Sequence, residues 1–475
     1  MKKYLKLTIH MMSIVTFIVL CAISIFLFSN VISLNIVPSK YLIPVLVFLI
    51  LLYLIIGIFV FKKKVKLFIK IILSFINLIF IVLYLFVFRY LDITLDFMDK
   101  IKAEKYQIEY YYILVDKNKN YTIDDVKTLG LYNNNASNYN EVLTELSNSI
   151  TYETMKYISY TSLIEGLFNG ESNAVIMSAA NLNVVSEIIE DFSDRTKIIH
   201  KIEYKVKNEQ EVGSIDVTEQ PFNIYLSGID VYGDINVVSR SDVNMVITVN
   251  PKNHEILLTS IPRDYYVQLS GTTGYKDKLT HAGLYGINMS INTIEDLLDT
   301  EIDYYVRLNF TAVINLVDAI GGIEVFSDKS LTTYGSGCNI PYGTVKLNGE
   351  CALAYSRERY AYVDGDRHRI RNQQDVIKAI VNKVMSSTTL ITKYNQILKS
   401  MENSFQTNIP SDSIYDLINK QLSSMPSWKI YNYSLNGTDS SNYTYSFGEE
   451  LLYVMEPEVS TIEEAKQKIK LMLTN

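Results

Sequence analysis

The sequence predicts an α/β protein: a three-layer α/β/α domain with a mostly mixed central sheet, a smaller α/β accessory domain, and three N-terminal transmembrane helices. Three observations predict it. Nearly all-apolar runs fill the first 90 residues, short strand-like runs alternate with amphipathic stretches beyond them, and after residue 222 that alternation lacks strict βαβ repetition. A chain of 475 residues is expected to hold two or three folded units. We place them at 1–90 (three transmembrane helices), 91–215 (an accessory α/β domain) and 216–475 (the main domain).

The apolar runs are residues 7–28, 41–61 and 67–88. Each is about the 20 residues that a helix needs to cross a hydrocarbon core of roughly 30 Å. No small-residue cleavage site follows the first run, which argues against a signal peptide. Lys2, Lys3 and Lys6 precede the first run, and Lys62, Lys63, Lys64 and Lys66 separate the second from the third; the loop 29–40 holds only Lys40. The positive-inside rule therefore puts the N-terminus in the cytoplasm and residues 91–475 outside a cell membrane crossed several times. Lys70, near the start of the third run, is expected to snorkel toward the headgroups. Cys21 falls inside the first run, whereas Cys338 and Cys351 lie in the exterior, where a disulfide is permitted and two free thiols are the alternative.

In the accessory region, strand-like IEYYYILVD, VKTLGLY and NAVIMSAANL alternate with helix-like YNEVLTEL, TMKYISYTSLIEGLFNG and VVSEIIEDF, and no residue cluster there demands chemistry. The polar stretch Lys205–Gln220, closed by Pro221, reads as a linker. In the main domain, strands are expected at 222–229, 243–250, 255–261, 304–309 and 323–326. Helices are expected at 288–298, 310–320, 350–355, 373–386, 411–421 and 461–473. Gly321-Gly322 reads as a helix stop, and His281 as a structural or rim residue.

Arginine usage is the sharpest chemical signal. The net charge is −7, so nothing global points to nucleic acid. Yet eight of the ten arginines fall between 240 and 371: Arg240, Arg263, Arg307, Arg357, Arg359, Arg367, Arg369 and Arg371. A solvated face in this lysine-rich chain would use lysine; the planar guanidinium fork instead matches phosphate or carboxylate oxygens. Structural ion pairs are the alternative. Asp230, Asp242 and Asp264 sit at strand ends, where open α/β sheets place ligands. Two carboxylates among arginines suit Mg²⁺ (or Mn²⁺) shared with phosphate oxygens. No G-x-S-x-G, P-loop or H-E-x-x-H pattern occurs.

Six segments in order carry a family resemblance: SGID, SRSDVNMVITVNP, TSIPRDYYV, IDYYVRLNFTAVINLVDAIGGIEV, LNGECALAYSRERY and GDRHRIRNQQDVI. Over about residues 222–390 the chain resembles the LytR-CpsA-Psr family of bacterial cell-envelope proteins. The resemblance implies that residues 216–475 form a catalytic domain holding a polyprenyl pyrophosphate and transferring its glycopolymer to peptidoglycan as a phosphodiester. It implies Asp230 and Asp242 as metal ligands, and Arg240, Arg263, Arg357, Arg359, Arg369 and Gln373 as pyrophosphate ligands. Arg263, Asp242 and Asp366 would be catalytic. Asn372 departs from the pattern, since many members have arginine there. The accessory region resembles a streptococcal-type subgroup linked to capsule assembly. Capsule, teichoic acid and similar polymers would be served equally by such a site.

The expected partners are therefore a polyprenyl-pyrophosphate-linked glycan, peptidoglycan and the membrane, with no nucleic acid; other envelope-assembly proteins are candidate partners of 91–215. The apolar faces of 310–320 and 374–384 are expected to line a slot for the polyprenyl tail, ordinary core faces being the alternative. A pyrophosphatase using water as acceptor, and a non-catalytic lipid-binding or regulatory membrane protein, remain the rival functions.

Overall fold

The computed structural model describes residues 2–102, 106–132, 139–207, 215–231, 234–385 and 393–474. Helices α1 (Lys2–Ser33), α2 (Ser39–Phe61) and α3 (Leu67–Ile101) are long and apolar enough to cross a membrane. Several of their polar side chains turn inward and meet partners that lipid could not supply. The Tyr53 hydroxyl lies 2.8 Å from that of Ser24 and 2.6 Å from that of Tyr84. Lys70 does not snorkel outward. Its ammonium is buried, donating to the Val60 carbonyl at 3.1 Å and contacting His10 Nδ1. Val60 lies in the last turn of α2, where its carbonyl has no intrahelical partner.

The third helix does not stop at residue 90 but continues to Ile101. Its final turns bury Phe97, Met98 and Ile101 against Leu398 and Tyr415 of the main domain, and Lys100 bridges Asp96 and Glu402. The α1–α2 loop meets the same face, with Asn35 Nδ2 donating to Asp416 Oδ1 at 2.8 Å.

The accessory domain is a five-stranded sheet. Its strands are β1 (Tyr106–Asp116), β2 (Thr128–Tyr132), β3 (Glu153–Tyr157), β4 (Ala174–Ser178) and β5 (Thr196–Lys207), in the order β3-β2-β4-β1-β5. Helices α4 (Tyr139–Ser147), α5 (Tyr160–Asn169) and α6 (Ala179–Ile188) accompany it. The sequence did not reveal β5: TKIIHKIEYKVK buries little and its lysines suit an edge strand. Lys205–Lys207 of the expected linker thus belong to β5, 208–214 lie outside the described residues, and Val217 is buried in the main-domain core.

The main domain is built on a six-stranded sheet of β6 (Phe222–Ile229), β7 (Ser241–Asn250), β8 (Glu255–Ile261), β9 (Tyr304–Asn309), β12 (Phe405–Thr407) and β13 (Lys429–Ser434). The order is β12-β9-β6-β7-β8-β13. Pairs β9–β6 and β13–β8 are parallel; β6–β7, β7–β8 and β9–β12 are antiparallel, so the sheet is mixed. Period-two alternation splits its side chains between two cores. Tyr225, Val246 and Leu257 face α7 (Ile287–Leu298) and α13 (Val459–Thr474), through Ile291, Ile294, Ile462 and Ile469. Phe222, Leu226 and Leu258 face α10 (Asp366–Met385) and α12 (Ser411–Ser424), through Ile377, Val381 and Leu417. This is the three-layer α/β/α arrangement.

After β9 come α8 (Phe310–Ala319), the hairpin β10 (Ile323–Ser327) and β11 (Gly343–Leu347), and α9 (Gly349–Arg357). Gly321 and Gly322 both take positive φ, 84° and 86°, and end α8 as expected. Helix α11 (Tyr394–Met401) packs α3 against α8, and the hairpin β14 (Gly437–Thr444) and β15 (Gly448–Pro457) precedes α13. Cys338 and Cys351 form a disulfide between the loop after β10 and the start of α9.

Candidate functional site

Strand direction decides where the chemistry gathers. Since β9, β6 and β8 run parallel and β7 runs opposite, the ends of β9, β6 and β8 and the start of β7 share one edge of the sheet. Phe310 follows β9, Asp230 follows β6, Arg240 and Asp242 flank the start of β7, and Arg263 follows β8. Helix α10 brings Asp366, Arg369 and Gln373, spaced i, i+3 and i+7, to the same edge on one face. Arg357 closes α9, with Arg359 two residues on.

The result is a cleft of about 810 Å³, lined by Asp230, Arg240, Asp242, Arg263, Arg357, Arg359, Arg369 and Gln373. Each sequence-derived site residue except Asp366 lines it. Asp366 stands behind Arg369, accepting from its Nη2 at 2.8 Å. Arg263 forks between two acids: Nη1 donates to Asp242 Oδ2 at 2.9 Å and Nε lies 3.3 Å from Asp264 Oδ2. Asp242 Oδ1 accepts from the Thr280 hydroxyl at 3.2 Å. Asp230 is held more loosely, with Arg240 Nη2 at 3.7 Å and Arg357 Nη2 at 3.9 Å.

The carboxyls are pushed apart in acidity. Burial, and then the charge of Asp242, raise Asp230 above the usual carboxylate range against the pull of Arg357, Arg240 and Arg263. Burial also works to raise Asp242, but Arg263, Arg240 and Arg369 outweigh it and hold it low. Burial, then the neighbouring Arg263, depresses Arg369 from its ordinary value. Arg263 and Arg369 lie close enough for the charge of one to act against that of the other. Two buried polar atoms in this group, Arg369 Nε and Asp366 Oδ1, lack a hydrogen-bond partner among the described residues. One is a donor suited to an anion and the other an acceptor suited to a hydroxyl.

The opposite wall is apolar: Leu308, Phe310, Val313, Ile314 and Leu353 line it. Helix α9 can lie against α8 because it starts with Gly349, where a Cβ would fall 2.2 Å from the Ile314 carbonyl oxygen. Arg357 joins the two walls, its guanidinium 4.3 Å from the centre of the Phe310 ring. Helix α8 thus lines the cleft as expected, but 374–384 does not. Val376 and Ile377 of α10 pack into the cores on either side of that helix, and Leu353 of α9 takes the place expected of them. The sequence signal for this second wall was Gly349 heading GECALAYSR, a close-packing residue at a helix start.

Three of the eight clustered arginines do other work. Arg307 is buried and donates to the carbonyls of Ile235 at 3.0 Å and Val237 at 2.8 Å. Arg367 donates to Asn436 and Gly437 beyond β13. Arg371 contacts Asp364 and lies 2.7 Å from His368 Nδ1, so it does not stand in for an arginine at 372; Asn372 is buried and donates to the Tyr355 carbonyl. His281 is buried against Asp277 at 2.6 Å, a structural position. The described residues hold no group of three or more His, Cys, Asp or Glu side chains able to bind a metal. Asp230 and Asp242 are carboxylates of the kind that would suit a hard divalent ion, and in the structure both face arginines.

Among curated proteins, the chain is 35% identical over 236 residues to a polyisoprenyl-teichoic acid–peptidoglycan teichoic acid transferase TagU of Bacillus cereus (strain AH820), covering 50% of this chain and 75% of that protein. It is 36% identical over 258 residues to Biofilm regulatory protein A of Streptococcus mutans serotype c, covering 49% and 62%. Among solved structures, the crystal structure of B. subtilis TagV matches 54% of this chain and 98% of its own at 31% identity, with a TM-score of 0.46. The model of the LytR_cpsA_psr family matches residues 188–468, more than half of the sequence and all of the cleft, and the chain belongs to that family.

Proposed function

We propose that this protein transfers a glycopolymer of the teichoic acid or capsule type from a polyprenyl pyrophosphate to a peptidoglycan hydroxyl, as a phosphodiester. One observation carries the reading: a single cleft is lined by five arginines, with the aspartates Asp230 and Asp242 and the glutamates Glu350 and Glu358, and by a set of apolar side chains. A diphosphate on an isoprenoid chain has that same division. The relatives named as teichoic acid transferases support it, and the accessory domain is in keeping with a capsule-type member.

In this reading Arg240, Arg263, Arg357, Arg359 and Arg369 neutralise the two phosphates, Gln373 donates to them, and Leu308, Phe310, Val313, Ile314 and Leu353 hold the first isoprene units. The acceptor oxygen attacks the glycan-side phosphorus. An O–P bond forms, the bridging P–O bond breaks, and polyprenyl phosphate leaves with the bonding pair. A carboxylate that lines the cleft takes the hydroxyl proton, and Asp366 holds Arg369 from behind. Asp230 and Asp242 would hold Mg²⁺ or Mn²⁺, which when bound supplies charge neutralisation at phosphate oxygens. Positioning and electrostatic stabilisation carry most of the catalysis.

The lysines flanking the apolar helices put the N-terminus in the cytoplasm and the cleft outside. The docking of Asn35, from the α1–α2 loop, onto the main domain supports that topology. Other envelope-assembly proteins would meet residues 91–215.

The test uses the full-length protein in detergent micelles with a labelled lipid-linked glycan and peptidoglycan. Label entering peptidoglycan one-for-one with released polyprenyl phosphate is the expected result. Phosphate products formed equally well without peptidoglycan would replace this reading with a pyrophosphatase.

A further inference from the structure

The sheet acts as a ruler across the site. Neighbouring strands lie about 4.8 Å apart, and the order β9-β6-β7-β8-β13 sets out the groups in sequence. The apolar wall follows β9, the phosphate-binding residues follow β6 to β8, and the chain leaving β13 turns into the hairpin β14–β15. A donor lying along this ruler has its isoprenoid at the β9 end. In-line displacement requires the nucleophile to enter opposite the leaving group, so it enters from beyond β8, where the hairpin stands.

That hairpin presents tyrosines. Tyr443 pairs with Leu451 and Ser441 with Tyr453, which puts Tyr443, Leu451 and Tyr453 on one face. All three are exposed, whereas Val454 is buried. Tyr275 joins them, its ring 5.6 Å from that of Tyr443, and the Tyr266 hydroxyl donates to the Tyr443 carbonyl at 2.7 Å. An unbroken series of contacts links this surface to the cleft. Arg263 lies 3.3 Å from Asp264, Asp264 lies 3.2 Å from Lys278, and Lys278 lies 5.9 Å from the centre of the Tyr453 ring. The Tyr453 hydroxyl donates to Asp439 at 3.0 Å, and Asp439 lies 3.3 Å from Arg367, the neighbour of Asp366.

We propose that this tyrosine shelf seats the acceptor glycan, a chain of pyranose rings whose free hydroxyl is delivered to the arginine-lined end of the cleft. The inference rests on the transferase reading and adds the residues that choose the acceptor. Tyrosine offers a flat apolar face to the C–H side of a sugar ring and a hydroxyl to its rim. The hairpin's own acids, Asp439, Glu449, Glu450 and Glu456, with Asp264 beside them, outnumber the neighbouring Arg367, Lys276 and Lys278. A net negative rim disfavours an anionic bilayer or a second polyanion and suits a largely uncharged polysaccharide better than either.

The test compares the unmodified full-length protein with Tyr443→Ala/Tyr453→Ala and with Tyr443→Phe/Tyr453→Phe. Three quantities are measured: binding of soluble, peptide-free peptidoglycan strands, KM for those strands in transfer, and affinity for the lipid-linked donor. The alanine pair is expected to raise KM and weaken strand binding by on the order of tenfold or more, the equivalent of about 1.4 kcal/mol. Donor affinity stays unchanged, and the phenylalanine pair stays within about threefold, since the ring face is retained. Unchanged strand binding and KM in the alanine pair overturn the shelf, as does a loss of vesicle binding or self-association in place of glycan binding. Tyrosine-dependent strand binding in a protein that transfers nothing would uphold the shelf and sink the transferase reading instead.

Discussion

Arg263 is the side chain on which the cleft's electrostatics turn, and its removal should act on activity and on acid stability together. The guanidinium spans Asp242 at 2.9 Å and Asp264 at 3.3 Å. The side chains of Arg263 and Asp242 are 19% and 17% exposed, so the pair lies between the surface and buried regimes. Exposed pairs contribute about 0–1 kcal/mol, whereas breaking a buried pair costs about 3–5. We expect Arg263→Ala to destabilise the protein by about 2 kcal/mol, and to lower transfer by about 10²–10³, as when one preorganised donor is lost. Arg263→Lys keeps the charge but cannot fork, and should fall between the two.

The acid limb supplies an independent reading. Asp242 is held low in the folded protein, against its burial, chiefly by Arg263. A depressed folded-state value contributes stability that is present above the unfolded carboxylate value of about 3.9, and is lost as pH falls through the folded one. Without Arg263 that window narrows, so acid unfolding should begin at higher pH in Arg263→Ala. Transfer by the full-length protein in micelles and circular dichroism on acid titration measure the two effects. Turnover within about threefold of the unmodified protein, with an unmoved acid transition, would refute the reasoning.

Filling the apolar wall with Ile314→Trp should weaken binding of long-chain polyprenyl pyrophosphates far more than that of the shortest isoprenoid pyrophosphate. Competition binding across chain lengths checks this, and equal loss at every length would detach the wall from the lipid. Cys338→Ser opens a loop closed by a sequence separation of 13 and should cost about 3 kcal/mol. Thermal melts should then show a reductant-sensitive midpoint in the unmodified protein and a lowered, reductant-insensitive one in the variant. Arg307→Met strands the carbonyls of Ile235 and Val237, which lead toward Arg240, and should cost about 2–3 kcal/mol. Its lowered melting temperature should come with donor affinity reduced less than in Arg263→Ala.

The core strands were legible because they are short, nearly continuous apolar runs, as strands buried on both faces require: FNIYLSGI and EILLTSI form β6 and β8 at the expected residues. The edge elements were not. TKIIHKIEYKVK and GTDSSNYT are strands by virtue of their neighbours, and carry too little apolar periodicity to be seen alone. Arginine clustering led to the cleft but could not sort its members. Arg307 satisfies backbone carbonyls and Arg371 a local acid, and composition cannot separate those uses from a phosphate ligand. The apolar face of α10 was misassigned for a related reason. A helix wedged between two cores shows the same pattern as one lining a slot.

Helix α3 runs without interruption from Leu67 to Ile101. Thirty-five residues make about 52 Å of helix, and a bilayer core takes roughly 30 Å of that. The remainder is a rigid post clamped by Phe97, Met98 and Ile101, so the main domain is mounted at a set height and does not swing on a tether. On the proposed transferase reading, substrate would have to be hoisted: part of each isoprenoid would leave the bilayer and climb to the cleft, while the rest would stay behind as a leash. The reach into the wall would then be fixed by the span of the acceptor strand, with no contribution from any stretching of the protein.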